Sequence, residues 1–235
     1  MVAAGNDFVV IKLPLSAGVA LNKLARSICN RKNGVGADGV LFMQRSSLAD
    51  IRMRIFNPDG SEAESCGNGL RCLARYYQDL KYRPGVELSI ETKAGLVQAK
   101  TNRDSVRIRL TDPRDIRMDI PLKVEGRKLK VNFINTGVPH VVIFVEGLPV
   151  LDPLRLGRII RYHRSFAPRG TNVNFTEVMN KDSIRLRTYE RGVEGETLAC
   201  GTGSAASALI FALKTNAVGR INVHTQSGEI LKISF

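Results

Sequence analysis

The sequence predicts an α+β fold made of two internally repeated, pseudo-symmetric domains, each with a largely antiparallel sheet. Three observations predict it. Short stretches recur in order at a nearly constant interval, alternating strands come in runs broken by single helices, and a Cys-Gly-x-Gly block opens an equivalent helix in each half. Ile51-Arg-Met-Arg-Ile-Phe-Asn57 recurs as Ile184-Arg-Leu-Arg-Thr-Tyr-Glu190, 133 residues on. Gly5 to Ile11 matches Gly137 to Ile143, Cys66-Gly-Asn-Gly69 matches Cys200-Gly-Thr-Gly203, and Thr92-Lys-Ala-Gly95 matches Thr225-Gln-Ser-Gly228. Chance echoes would not keep both their order and their spacing.

Each copy reads the same way. An apolar strand, Phe8 to Leu13 or Val141 to Val145, precedes a helix whose apolar residues fall at i, i+3, i+4 and i+7. These are Leu21, Leu24, Ala25 and Ile28 in the first copy, and Leu156, Ile159, Ile160 and His163 in the second. Alternation then sets Ile51, Met53 and Ile55 against Arg52 and Arg54, and Ile184 and Leu186 against Arg185 and Arg187. The cysteine block follows and opens a helix with apolar face Leu70, Leu73, Ala74 and Tyr77, or Ala205, Ala208, Leu209 and Ala212. A hairpin closes each unit, turning at Gly95 and at Gly228. Val106 to Leu110 adds a strand whose mate would start past Phe235. The mate of Val131 to Asn135 falls at or before residue 3, so each end is expected to lack a strand or most of one. The expected domains are 1–112 and 131–235, joined by a linker, 113–130, marked by Pro113, Pro121 and mixed charge.

At 235 residues, 43% hydrophobic and 24% charged, the chain has the composition of a globular protein. It has no apolar run of the ~20 residues a membrane span needs and no signal-peptide pattern at its start, so a cytoplasmic location is expected. The four cysteines are expected as free thiols, with Cys29 and Cys72 on helical faces as inert packing residues.

Cys66 and Cys200 carry the chemistry. Each directly precedes a Gly-x-Gly that starts a helix, where unpaired N–H groups and the positive end of the dipole stabilise a thiolate or hold a carboxylate. Two such units related by a pseudo-twofold axis would place the cysteines on either side of one molecule. That arrangement suits removal of a proton from one face of a carbon and its return on the other, as in racemisation or epimerisation. No metal is expected, because Cys66 and Cys72 are too far apart in sequence for a zinc pair. Gly34-Val-Gly-Ala-Asp-Gly39 fits G-x-G-x-x-G but follows a helix and precedes a strand. The dinucleotide fingerprint needs the reverse order, so the stretch reads as a turn.

Gly5-Asn-Asp-Phe8, Gly36-Ala-Asp-Gly39, Asn57-Pro-Asp-Gly-Ser61, Cys66-Gly-Asn-Gly69, Pro139-His140, Gly170-Thr-Asn-Val-Asn-Phe175, Tyr189-Glu-Arg-Gly192 and Cys200-Gly-Thr-Gly203 together resemble the diaminopimelate epimerases. The resemblance implies that fold, with each domain a curved sheet around a central helix, and a homodimeric, cofactor-independent isomerase that interconverts LL- and meso-diaminopimelate for lysine and cell-wall synthesis. It implies Cys66 and Cys200 as the two bases, with His140 and Glu190 assisting. Asn6, Asn57, Gly67, Asn68, Asn172, Glu190, Arg191, Gly201 and Thr202 would bind a diamino diacid. The types are chemically coherent, since Arg191 can take a carboxylate in bidentate fashion while Asn side chains and Glu190 accept from an ammonium group. Val138 stands where many members have Asn.

Two other readings use the same residues. A related racemase would keep the cysteines and change the substrate, but Arg191 argues against a small apolar amino acid. A non-catalytic relative binding nucleic acid would use the net charge of +13, with Arg155, Arg158, Arg161 and Arg164 as a basic helical stripe. A solvated helix face explains that stripe more simply, so no nucleic-acid partner is expected.

Overall fold

The computed structural model describes residues 1–12, 20–82 and 85–235. Leu13, the end of the first expected strand, lies outside the described residues. The chain forms two compact units, Met1–Leu110 and Thr111–Phe235.

The first unit contains β1 (Val2–Ala3), β2 (Asn6–Lys12), α1 (Leu21–Cys29), β3 (Gly39–Gln44), β4 (Ile51–Phe56), β5 (Glu62–Ala63), α2 (Gly67–Lys81), β6 (Glu87–Thr92), β7 (Gly95–Thr101) and β8 (Val106–Arg109). The second contains β9 (Arg114–Val124), β10 (Arg127–Asn135), β11 (Pro139–Phe144), α3 (Pro153–Arg161), β12 (Asn172–Asn180), β13 (Ser183–Glu190), β14 (Gly195–Thr197), α4 (Gly201–Thr215), β15 (Arg220–His224) and β16 (Ile230–Ser234).

The first sheet has the order β1-β2-β3-β4-β6-β7-β8, with β5 beside β4. The second has the order β16-β15-β13-β12-β11-β10-β9, with β14 beside β13. Taken from β10 to β16, the second sheet repeats the path from β1 to β7 element for element. Most neighbours are antiparallel. The exceptions are β2 with β3 and β4 with β6, and their counterparts β11 with β12 and β13 with β15. Each parallel pair is joined through a helix. The two pairs in a sheet run in opposite directions while stepping the same way across it, so right-handed crossovers put their helices on opposite faces.

The cores follow this geometry. Leu41 and Met43 of β3 pack with Leu70, Leu73 and Ala74 of α2, whereas Val40 and Phe42 pack with Ala25 and Cys29 of α1. In the second unit Ile184 and Leu186 meet Ala208 and Phe211 of α4, while Val173, Phe175 and Tyr189 meet Ile160 on the α3 side. Strands covered on both faces lose the polar half of their alternation, which is why Gly39–Met43 is buried without a break. The α4 helix is buried beyond the expected face, with Ala206, Ser207, Ile210 and Phe211 also enclosed, because the sheet curls around it. Both central helices run for fifteen residues and end on a left-handed residue, Tyr82 or Asn216.

Two expectations need correction. Residues 113–130 are not a linker, since they form β9 and the start of β10 in the second sheet. As the edge strand, β9 turns most of its residues outward and tolerates Pro121, which has no N–H to donate. Its polar composition therefore imitates a connector. His163 does not extend the apolar face of α3. That helix ends at Arg161, and His163 caps a short turn by accepting the Ser165 N–H at its Nδ1 (3.2 Å).

Candidate active site

The two cysteine blocks adopt the same local structure. Cys66 and Cys200 are extended N-cap residues, with φ,ψ of −150°,119° and −122°,111°. Their carbonyls accept the first helical bonds, from Leu70 N and Ser204 N, each at 2.8 Å. Gly69 N and Gly203 N point at the sulfurs, at 3.5 Å from Cys66 Sγ and 3.4 Å from Cys200 Sγ. The amides of Gly67 and Asn68, and of Gly201 and Thr202, come before the first i→i−4 bond. They form the part of a helix start that receives an anion.

Close packing holds each block. A Cβ on Gly203 would lie 2.4 Å from Asn174 Oδ1 and 3.3 Å from Cys200 Sγ. One on Gly69 would lie 2.9 Å from Leu41 Cδ2. The copies differ at the position between the glycines. Thr202 sets its hydroxyl 3.4 Å from Cys200 Sγ. Asn68 instead sends its amide to Asn6 Oδ1 (2.7 Å) and accepts from Arg71 at 2.7 Å. Cys200 is 8% exposed and Cys66 is half-buried.

In the first unit, Asn6 links Asn68 to an ion-paired cluster. Asn6 Nδ2 donates to Asp38 (3.1 Å), and Arg31 binds Asp7 in bidentate fashion and also reaches Asp38. The Arg31 guanidinium lowers the Asp7 pKa to about 2. The exchange of bonds leaves Asn6 and Asn68 with fixed amide orientations. Asn57 sits at the end of β4, where it bonds Ser61 through both main chain and side chain and closes a tight turn.

In the second unit, His140 and Asn172 are neighbours in parallel register on β11 and β12. Asn172 is a strut, donating to the Pro139 carbonyl (3.0 Å) and accepting the Arg191 N–H (2.8 Å). It thereby fixes the chain where β13 delivers Glu190 and Arg191. Burial raises the Glu190 pKa. The Arg191 guanidinium has no ion pair among the described residues, unlike Arg187 and Arg161, which are held by Glu196 and Glu194. His140 is fully buried, and its desolvation together with the Arg191 charge pushes its pKa down to about 3.

Asn174 is the residue that sequence reasoning missed. It is fully buried and bonds His140 Nδ1 (3.1 Å), the Val141 carbonyl (2.9 Å) and the Thr188 hydroxyl (3.0 Å). The signal was available, because Asn172 and Asn174 lie two apart on one strand and so share a face.

The remaining cysteines, Cys29 and Cys72, are buried, and burial raises the Cys29 pKa. Among the described residues none of the four cysteines is joined in a disulfide. Among the described residues no group of three His, Cys, Asp or Glu side chains is placed to hold a metal ion. No helix among them is long and apolar enough to cross a membrane. The basic stripe of α3 is engaged locally, with Arg155 on Glu125, Arg161 on Glu194, and Arg158 and Arg161 over the Tyr162 ring.

Known proteins give a consistent comparison. The chain is 43% identical to a diaminopimelate epimerase of Hydrogenobaculum sp., over 98% of this chain and 88% of that protein. It is 45% identical to one of Archaeoglobus fulgidus, over 97% and 85%. Among solved structures, a PhzF-family phenazine biosynthesis protein of Bacillus anthracis superposes with a TM-score of 0.73 at 20% identity, covering 99% of this chain and 85% of that one. A probable proline racemase of Agrobacterium radiobacter superposes at 0.70 and 20%, covering 97% and 81%, and at such identities the likeness shows the fold alone. The family model for diaminopimelate epimerase matches residues 1–114 and 132–234, leaving out most of β9. On the family match and these full-length relatives, the chain belongs to the diaminopimelate epimerase family, whose members are isomerases.

Proposed function

We propose that this chain interconverts LL- and meso-diaminopimelate by two-base proton transfer, with Cys66 and Cys200 as the bases. The observation that carries the proposal is the duplicated helix start, in which a backbone N–H from the first turn points at each cysteine sulfur. A thiolate in that position is stabilised by the N–H and by the helix dipole, so it can accept a proton from carbon. One cysteine enters as thiolate and takes the α-proton, and the other enters as thiol and delivers a proton to the opposite face. The two then exchange roles in the reverse direction.

Removing an α-proton from an amino acid builds charge next to its carboxylate. Gly67, Asn68, Gly201 and Thr202 supply the helix-start amides that would meet that charge as it develops. Arg191 suits the distal carboxylate, since among the described residues its guanidinium has no acid partner, unlike Arg187 and Arg161. Asn6, Asn57, Asn172 and Glu190 complete the proposed substrate contacts, with Glu190 and the neutral His140 assisting the cysteines. The enzyme would work as a homodimer in the cytoplasm without an organic cofactor or metal.

The experiment is a substrate panel on the purified, reduced protein. Inversion of LL-diaminopimelate without inversion of L-proline is expected. Equal turnover of proline would favour a racemase of different specificity, and turnover of neither by a folded sample would contradict the proposal.

A further inference from the structure

We infer that Asn174 is a positioning residue that holds His140 as the Nε2–H tautomer and steadies the Cys200 helix start, making His140 a fixed hydrogen-bond donor and not a proton carrier. The inference rests on the proposed epimerase function for its catalytic consequence, while the tautomer itself stands on geometry.

The orientation of the Asn174 amide follows from its partners. The Val141 carbonyl can only accept, so the group 2.9 Å from it is the Asn174 NH₂. The same nitrogen lies 3.1 Å from His140 Nδ1 and points its second hydrogen there. His140 Nδ1 must therefore present a lone pair, and the ring proton belongs on Nε2. The Asn174 oxygen accepts from the Thr188 hydroxyl at 3.0 Å, which leaves the amide no reason to flip.

Asn174 also touches the cysteine block. Its Oδ1 lies only 2.4 Å from where a Gly203 Cβ would be, so the amide rests on the first turn of α4, whose Gly203 N–H points at Cys200. One side chain thus contacts both the His140 ring and the helix start that addresses Cys200. His140 Nε2 is buried and has no hydrogen-bond partner within the described protein. A buried N–H so placed calls for an acceptor, either a bound water or a ligand. Among the described residues the one charged group acting on the ring is Arg191, on the turn after β13. It opposes protonation, in the same direction as burial.

The test is a ¹⁵N-histidine spectrum of the reduced wild-type protein from pH 5 to 9, with His140 assigned by the loss of its signal in His140→Gln. A proton on Nε2, a bare Nδ1 and no titration across the range are expected. A proton on Nδ1, or a midpoint within the range, would overturn the inference without need of any variant. Asn174→Asp supplies the kinetic arm, because its carboxylate forces a proton onto Nδ1. Turnover is expected to fall about 100-fold, with a new ionisation in the kcat profile. An Asn174→Asp protein with an unchanged rate and profile would overturn the positioning role. The expected tautomer in a folded wild-type protein that inverts no diaminopimelate would uphold the geometry and contradict the epimerase reading.

Discussion

The backbone N–H of Gly203 lies 3.4 Å from the Sγ of Cys200, and no other residue type fits where it stands. A side-chain carbon there would meet Asn174 Oδ1 at 2.4 Å, and that oxygen is held by Thr188 and cannot swing aside. In the first unit the matching contact, Gly69 to Leu41 Cδ2 at 2.9 Å, is with the far end of an aliphatic side chain that can shift. Gly203→Ala is therefore expected to destabilise by about 1–3 kcal/mol and to abolish turnover. Gly69→Ala should cost less than about 1.5 kcal/mol and leave measurable activity. Thermal melts with parallel rate assays check the pair, and equal effects would contradict the difference in packing.

The two thiols are predicted to be separately required. Cys66→Ala and Cys200→Ala should each lower epimerisation by at least about 10³-fold, with melting temperatures close to the parent's. Epimerisation assays on both variants, with circular dichroism as the control for folding, decide this. Full turnover in either variant would remove that residue from the base pair.

Much of this is legible in the sequence. The repeat gave the pairing of elements because both copies keep the same apolar alternation, and Cys66 and Cys200 stood out because a cysteine directly before Gly-x-Gly specifies a capped helix start. Asn174 was hidden for a physical reason. Its role depends on His140, Thr188 and Gly203, three residues far apart in sequence that converge only when β11, β12, β13 and α4 pack. The strand β9 was hidden by its position at the sheet edge, where exposed charges and Pro121 are tolerated. Asn57 and Asn172 resemble ligand contacts in sequence, and in the fold their amides also make bonds that shape the site, Asn57 to Ser61 and Asn172 to Pro139 and Arg191.

Arg191 is predicted to bind and not to transfer protons. Arg191→Met should raise KM for diaminopimelate about 10- to 100-fold, matching the loss of one charge-assisted interaction of about 1.5–3 kcal/mol, with a smaller change in kcat. Initial-rate kinetics over a wide substrate range separate the two constants. A loss confined to kcat would argue that Arg191 acts on the transition state.

Burial of His140 links stability to pH. Its folded pKa of about 3 lies below the unfolded value near 6.5, so in that window the unfolded chain binds one more proton than the native one. Its contribution should make stability fall as pH drops from about 6.5 towards 3, by up to about 1.4 kcal/mol per pH unit, and be flat above pH 7. Denaturant melts of the wild type and His140→Gln check this. The variant should lose about one proton of linkage in that range, and identical slopes would contradict a buried neutral ring.

The central claim, transfer through two bases, is tested most directly by incubating the reduced protein with LL-diaminopimelate in D₂O and sampling both pools early in the reaction. Two bases predict deuterium at the inverted carbon of the meso product and almost none in recovered substrate, because a proton taken on one face returns only to that face. Early deuterium in both pools to the same extent would contradict the account, since it would mean that a single exchanging base serves both faces.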